Sequence, residues 1–375
     1  MRRYTMDNNK IIFSILDYYQ NINIDFDVYI IADAQTKTCK YMPERIIHAN
    51  EDEFFSRTEF AEIMSAIFNC FGFAKVFYSE IEFIQYTLAH NIDKSECIVY
   101  NFSRDGRVNG KKSLIPAFCD LMDIRYTGSD AFVISLLRNK YIYTKFLEQN
   151  GISVPKSLLY RTTSDFSLLL SEFKNQYVIV KNKCESASIG MTHENIFELK
   201  NDSVQYLDKL LTTMHTNSVL VQEYIDGIEC EIFVLQYKGN YYALDPVQIL
   251  FKNEMNIIDT DTSNSYNYDF RVINSPVKSL IQETAKKIAE LLEIKDYARF
   301  DFRIKNGIPY LFDIAGTPYT IYHSSIAYLF TQYYHIAYEA IYKIIVACML
   351  SNYDFKIKHK MCIVNQITSD LEKRT

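Results

Sequence analysis

The chain is 375 residues long, which at about 150 residues per domain allows two or three domains and a sizeable core. Hydrophobic residues make up 48% and charged residues 23%, an ordinary globular make-up that excludes a disordered, collagenous or coiled-coil chain. With 40 basic against 46 acidic residues, a formal net charge of −6 and no long basic run, the chain is not built to bind nucleic acid or an anionic membrane by bulk charge.

The polar start reaches Asp17 before any apolar run of export-signal length, so nothing there marks the chain for export. Asp27 to Ala32 reads as a buried strand, and Arg57 to Phe71 as a helix with Phe60, Ile63, Met64, Ile67 and Phe68 on one side. A helix around Glu82 to Ala89, a strand at Cys97 to Phe102 and helical spacing from Lys112 to Met122 continue the alternation. The turn Tyr126-Thr127-Gly128-Ser129-Asp130 closes this α/β unit, residues 1–130. Ala131 to Gln149 reads as one long helix stopped by Asn150-Gly151, with Pro155 preventing its resumption.

Strands follow near Val154 to Tyr160, at Tyr177 to Lys181 and at Val219 to Tyr224, with a helical region around Ile196 to Thr212, giving a small α+β module at 131–215. Glu229 to Tyr237 and Tyr241 to Leu250 are further strands, whereas the polar segment Asn253 to Arg271 reads as a long loop of the kind that serves as a lid. A helix at Ser279 to Leu292 precedes the alternating segment Ala298 to Ile314. Ile326 to Leu350 is the most apolar stretch, but Gln332, His335, Glu339 and Lys343 are each costly in hydrocarbon, so it reads as a buried or amphipathic helix. It ends a third unit, 216–350, and leaves 351–375 as a tail. Eight scattered cysteines without a Cys-x-x-Cys pair read as reduced thiols, with a cytoplasmic address.

Ala298 to Ile314 carries Asn306-Gly307 at its centre, the pattern of a β-hairpin. A two-residue loop pairs Lys305 with Ile308 and mixes charged and apolar residues on both faces, which burial resists. A three-residue loop, Lys305-Asn306-Gly307 with Gly307 as a left-handed bulge, pairs Ile304 with Ile308 and is the expected register. It leaves one apolar face and gathers Arg299, Asp301, Asp313 and Ala315 on the other, with Arg299 opposite Asp313. Two carboxylates on one face suit a hard cation; a cross-strand Arg–Asp pair on a solvated sheet is the alternative.

Upstream, the small-residue loop Glu185 to Gly190 follows the strand that ends at Lys181. Its amides and hydroxyls suit phosphate oxygens, and it equally suits an ordinary connection. Lys181 and Lys140 are cations for the same purpose or surface charges. Val219 to Glu231 reads by itself as a structural hairpin turning at Asp226-Gly227.

In this order the pieces resemble the ATP-grasp superfamily, and within it the D-alanine:D-alanine ligase group. The resemblance rests on Tyr-Thr-Gly-Ser from Tyr126; Asn-Lys-x-x-x-Thr-Lys through Lys140 and Lys145, leading to Gly151-Ile and Pro155; Val-Lys at Lys181 with Glu-Ser-Ala-Ser-Ile-Gly; Gln-Glu-Tyr-Ile-Asp-Gly-x-Glu; and Arg-x-Asp-Phe with Phe-Asp-Ile. It covers Tyr126 to about Ser325 well and the first hundred residues loosely.

The resemblance implies an α/β protein of ATP-grasp architecture. An N-terminal parallel-sheet domain is followed by a small central α+β domain and a C-terminal antiparallel-sheet domain, with ATP held between the last two. Lys140 and Lys181 would hold the nucleotide phosphates, and the loop with Glu185 and Ser188 would fold over them. Gln222, Glu223, Tyr224 and Ile225 would form the adenine hinge, with Glu229 on the ribose. Asp301 and Asp313 would bind magnesium, or manganese in its place. Arg299 and Ser188 would act on the acyl phosphate. The segment with Tyr268 and Arg271 would close over the site. His323 and Ser324 resemble a substrate-carboxylate contact, although Ser324 equally suits a helix N-cap. Glu59 or Glu62 would stand for the group's N-terminal glutamate.

The implied activity is ADP-forming ligation of a carboxylate to an amine, both amino-acid-like small molecules, with a homodimer allowed. Three departures stand out: Ala315 replaces a metal-binding Asn, Tyr319 a glycine near the oxyanion, and Lys111-Lys112-Ser113 a Glu-Asp-Gly. They imply a product other than the cell-wall D-alanyl dipeptide; a catalytically impaired scaffold that binds nucleotide or a partner is the alternative. Arg104, Arg107, Lys111 and Lys112 form a basic cluster that either borders an acidic substrate or lines a solvated loop.

Overall fold

A computed structural model describes residues 8–22, 26–34, 53–72, 74–94, 96–106, 108–185, 191–252 and 265–354. The first sheet holds β1 (Asp27–Ala32), β2 (Lys75–Phe77), β3 (Cys97–Phe102) and β4 (Arg125–Tyr126) in the order β2-β1-β3-β4. Every pairing in it is parallel. β3 is buried along its whole length and β1 everywhere but its first residue, which is why both read as continuous apolar runs.

The second sheet is antiparallel, β5 (Ser157–Tyr160), β6 (Tyr177–Asn182), β7 (Ile196–Glu198) and β8 (Val219–Glu223), in the order β5-β8-β6-β7. The third comprises β9 (Ile228–Tyr237), β10 (Asn240–Ala243), β11 (Val247–Phe251), β12 (Tyr268–Val272), β13 (Tyr297–Lys305) and β14 (Ile308–Ala315). Its order is β12-β11-β9-β13-β14, with β10 also on β9.

The helix Val277–Leu291 packs Ile281, Ala285 and Ile288 onto one face of the third sheet, beside Phe300 and Phe302. On the other face, Phe233 and Leu235 of β9 share a core with Ile30 and Tyr100 of the first sheet. The helical run 340–354 contributes Ile341, Ile344 and Ile345 to that same core.

Several expectations need correction. The helix expected over Ala131 to Gln149 is two helices, Ala131–Leu137 and Lys140–Gln149, because the Asn139 side chain caps the second by accepting from Ile142 N at 3.2 Å. Ile196–Glu198 is a strand on the edge of β6, so the helix begins only at Val204. Tyr241 to Leu250 breaks at Asp245-Pro246, where proline has no N–H for the ladder and Asp245 pairs with Lys278. Tyr268 to Arg271, expected in a loop, lie in β12 paired with β11; residues 253–264 fall outside the described set. Ile326 to Leu350 is not one helix: Ser325–Tyr328 runs into a π-helical turn, Leu329–Tyr333, before the run from 340. Among the described residues no helix is long and apolar enough to cross a membrane.

β8 and β9 are not a hairpin either, since they belong to different sheets. The turn between them brings Gly227 against β13, where a Cβ would lie 2.3 Å from the Ile304 carbonyl oxygen. Backbone cannot yield as a flexible side chain can. Gly227→Ala is therefore expected to cost about 1–3 kcal/mol in denaturant unfolding.

Candidate active site

The hairpin turns through Asn306 and Gly307, both at positive φ (53° and 76°), with Lys305 opposite Ile308. This is the two-residue loop, not the expected three-residue one. The mixing of faces it would impose is removed further along, by a bulge after Phe302↔Leu311 that sets Asp301 opposite Asp313 and Phe300 opposite Ile314. Leu311 and Ile314 thus both enter the core with Phe300 and Phe302, while Phe312 and Asp313 both face a cavity. Arg299 lies opposite Ala315, not Asp313.

β9 supplies the neighbouring row. Asp301 pairs with Glu231 and Arg303 with Glu229, so Glu231, Asp301 and Asp313 stand side by side across three strands. Arg299 holds two of them, donating through Nε and Nη2 to the Asp301 oxygens at 2.8 Å each and lying 3.3 Å from Glu231. Lys140 pairs with Asp313, and Tyr143 donates to the same carboxylate at 3.2 Å.

Burial pushes the Glu231 carboxyl up to about 7, with Asp301 adding to the effect and Arg299 opposing it. Burial also raises Asp301 despite Arg299. Asp313 goes the other way, because Lys140 and Lys181 outweigh the burial that would raise it.

These side chains line a cavity of about 510 Å³ between the second and third sheets, in the size range of small-ligand sites. Of the expected residues, it brings together Lys140, Lys181, Glu185, Gln222, Glu223, Tyr224, Ile225, Glu229, Arg299, Asp301, Asp313, Tyr268, His323 and Ser324. Lys181 donates to Gln222 at 3.2 Å and lies 5.0 Å from the centre of the Phe312 ring. Burial, together with Lys140 and Arg303, lowers its amine to about 8 against the pull of Asp313 and Glu229. Glu229 accepts from Arg303 at 2.7 Å. The Ser324 hydroxyl caps the short helix, accepting from Ala327 N at 3.1 Å and donating to the Ile321 carbonyl. His323 sits among Tyr266, Tyr268 and Phe270. Glu59 and Glu62 line the cavity too, Glu59 accepting from the Tyr266 hydroxyl at 2.8 Å.

Arg271 is not brought there: it is exposed on β12 and donates to Gln248. Ser188 lies outside the described residues. Glu231, Arg303 and Phe312 were missed; the Glu229-x-Glu231 and Asp301-x-Arg303 alternations were the available signal, once β9 and β13 are known to pair.

Residues 148–347, more than half of the chain, match the family model described as D-ala D-ala ligase C-terminus. The chain belongs to this family. It is 26% identical over 212 residues to a D-alanine–D-alanine ligase of Aquifex aeolicus, covering 56% of this chain and 68% of the relative. To the Flavobacterium psychrophilum D-alanine–D-alanine ligase it is 27% identical over 214 residues, covering 56% and 63%. The match thus spans about two thirds of the length of these relatives. The crystal structure of the Bacillus anthracis D-alanine–D-alanine ligase complexed with ATP superposes with a TM-score of 0.59 at 16% identity, covering 87% of this chain and 97% of that one. The fold is therefore that of the ATP-grasp D-alanine ligases.

Outside the family match, the basic cluster is not a solvated loop. Arg104 is 1% and Lys111 0% exposed. Lys111 and Lys112 both pair with the buried Glu53, and Arg138 approaches it at 3.6 Å. Arg107 is outside the described residues. Burial would raise the Glu53 carboxyl, but Lys112, Arg138, Lys111 and Arg104 together hold it well below its usual 4.5. This ligase-family chain is thereby stabilised above pH 4.5 and loses that contribution as pH falls further. Glu53→Gln should cost about 3–5 kcal/mol at neutral pH, by removing the carboxylate that buried Lys111, Lys112 and Arg138 share, and should flatten the acid limb of the stability curve.

Proposed function

We propose that the chain is an ATP-dependent, ADP-forming ligase that joins the carboxylate of one amino-acid-like substrate to the amine of another. The observation that carries this reading is the facing pair Asp301 and Asp313, flanked by Arg299, Lys140 and Lys181 in a single cavity. ATP would lie between the second and third sheets; β8 belongs to the second, so the division between the two units falls in the turn after β8 and not at residue 215 as expected.

The donor chemistry fits a nucleotide with divalent ions. Two opposed carboxylates are hard oxygen donors suited to magnesium, with manganese as a substitute. Lys181 contacts a neutral amide oxygen and a ring, which suits an amine awaiting a polyphosphate. Ile179, Ile225 and Phe312 give that end of the cavity an apolar lining for a base.

In the first step a substrate carboxylate oxygen attacks the γ-phosphorus and the bond to the bridging oxygen breaks, releasing ADP and leaving an acyl phosphate. In the second, the amine attacks the acyl carbon, loses a proton, and inorganic phosphate departs. Lys140 and Lys181 offset the phosphate charge. Arg299, oriented by Asp301 and Glu231, offers donors to the oxygen that gains charge at the acyl carbon. The metal ions would neutralise charge on the transferring group. Gln222 to Ile225 would hold the base, Glu229 the ribose, and Ser188 with Glu185 the phosphates. Tyr268, His323 and Ser324 line the side left for the second substrate.

At the finer level we propose that the product is not the cell-wall D-alanyl dipeptide, in keeping with Ala315, Tyr319 and the buried basic cluster. The test is ADP release with pooled D- and L-amino acids, followed by mass spectrometry of the products. A new amide mass other than D-alanyl-D-alanine is expected. Asp301→Asn should lower turnover by about 100-fold or more with folding retained, and unchanged rates would refute the site. ATP binding without substrate-dependent ADP release would favour the scaffold reading.

ATP affinity should also depend on pH through Lys181. Its amine is charged below about 8 and neutral above, so affinity falls as pH rises. Calorimetry between pH 7 and 9 should show a loss approaching roughly tenfold per unit above the midpoint, absent in Lys181→Arg.

A further inference from the structure

Beside the main cavity lies a second one of 90 Å³, room for more than one water, lined on one side by Arg104, Lys112, Arg138 and Glu53 and on the other by the loop Gly316 to Tyr319. Lys140, Glu185, Arg299, Asp313 and Tyr319 line both, so the two compartments adjoin at the reacting end of the site.

Arg104 is the telling residue. Its guanidinium is held between two rings, 4.5 Å from the centre of Phe55 and 4.1 Å from that of Tyr319. It is 1% exposed, yet Nε and Nη2 have no hydrogen-bond partner among the described residues. Ordinary packing does not leave two charged donors buried in this way. The surroundings are rich in cations: Lys111 and Lys112 pair with Glu53, Arg138 lies 3.6 Å from it, and Lys111 and Arg138 also meet Glu185. A buried guanidinium with two unpartnered donors, lining a compartment that adjoins the main cavity, is stabilised by an incoming anion.

We propose that this compartment is a subsite for a second anionic group on the substrate that donates the acyl carbon, which makes that substrate an acidic amino acid or other dicarboxylate. One carboxylate is placed at Arg299 and Asp313 for phosphorylation while the other enters the compartment and takes up the Arg104 donors. The Tyr319 ring, whose hydroxyl donates to the Glu53 carbonyl at 2.7 Å, holds the guanidinium in place from the side of the third sheet. This inference rests on the ligase reading.

The experiment compares aspartate with asparagine and glutamate with glutamine, each as D and L forms, as acyl donors for the full-length protein with ATP, magnesium and a pool of amine acceptors. ADP release gives kcat/KM, and product mass shows which partner donated the acyl group. An acid is expected to exceed its amide by at least about tenfold, and Arg104→Leu, which keeps bulk between the rings, should bring that ratio towards one. Equal use of acid and amide by the wild-type protein, a measurement independent of any variant, would overturn the proposal. So would an acid preference that survives in folded Arg104→Leu.

A parallel thermal-shift series with aspartate, asparagine and inorganic phosphate separates the two readings. Stabilisation by aspartate over asparagine that is lost in Arg104→Leu, with no ADP release from any mixture, would sink the ligase reading and keep the anion subsite. Stabilisation by phosphate alone, without preference between acid and amide, would assign the compartment to the phosphate ion and overturn the substrate assignment.

Discussion

Three carboxylates side by side, Glu231, Asp301 and Asp313, are the constraint around which the rest of the site is arranged. Adjacent like charges on paired strands repel, and burial removes the water that would screen them. The molecule answers with cations drawn from two places. Arg299 comes from the same strand as Asp301 and bridges it to Glu231, while Lys140 comes from a helix far away in sequence and reaches Asp313. The residual strain appears in the titration of the row. Glu231, with the least direct compensation, rises to about 7, whereas Asp313, with two lysines near it, falls.

The position of Lys140 depends in turn on a broken helix. Had Ala131 to Gln149 continued unbroken, Arg138 and Lys140 would point about 160° apart around one axis. The Asn139 cap interrupts it, so Arg138 turns to Glu53 and Glu185 while Lys140 turns to Asp313. One local capping preference therefore distributes cations to both the main cavity and the smaller compartment beside it. The residues read in the sequence as departures from the pattern of the ligase group meet in the same place. Lys112 and Tyr319, from different sheets' loops, line one compartment, and Ala315 lies on its wall.

Much of this was legible in order and spacing. The parallel strands β1 and β3 are unbroken apolar runs because both faces are covered, and the second-sheet strands follow from β-branched runs between polar connections. The site residues around Lys181, Gln222 to Ile225, Asp301 and Asp313 sit in motifs short enough to be read from neighbours in sequence. What could not be read was pairing between distant segments. Hairpin register was inferred from face purity, a sound rule that a bulge at Leu311 to Asp313 sets aside by shifting one strand midway. Nothing local announces such a bulge, because its stabilisation comes from the core that receives both Leu311 and Ile314.

By itself, then, the sequence determined an α/β chain with its motif order, the cations and carboxylates available for a ligase site, and a strand with Asp301 on its polar side. Those properties depend on short-range spacing, turn chemistry and composition, which a linear chain carries in full. The tertiary structure alone decided that Glu231 joins Asp301 and Asp313 in one row, that β8 and β9 part into different sheets, and that Arg104, Lys111 and Lys112 turn inward around Glu53. Each of these depends on contact between segments separated by tens to hundreds of residues. Whether a lysine is a solvated surface charge or a buried partner is set by what folds over it, and no residue's immediate neighbours contain that information.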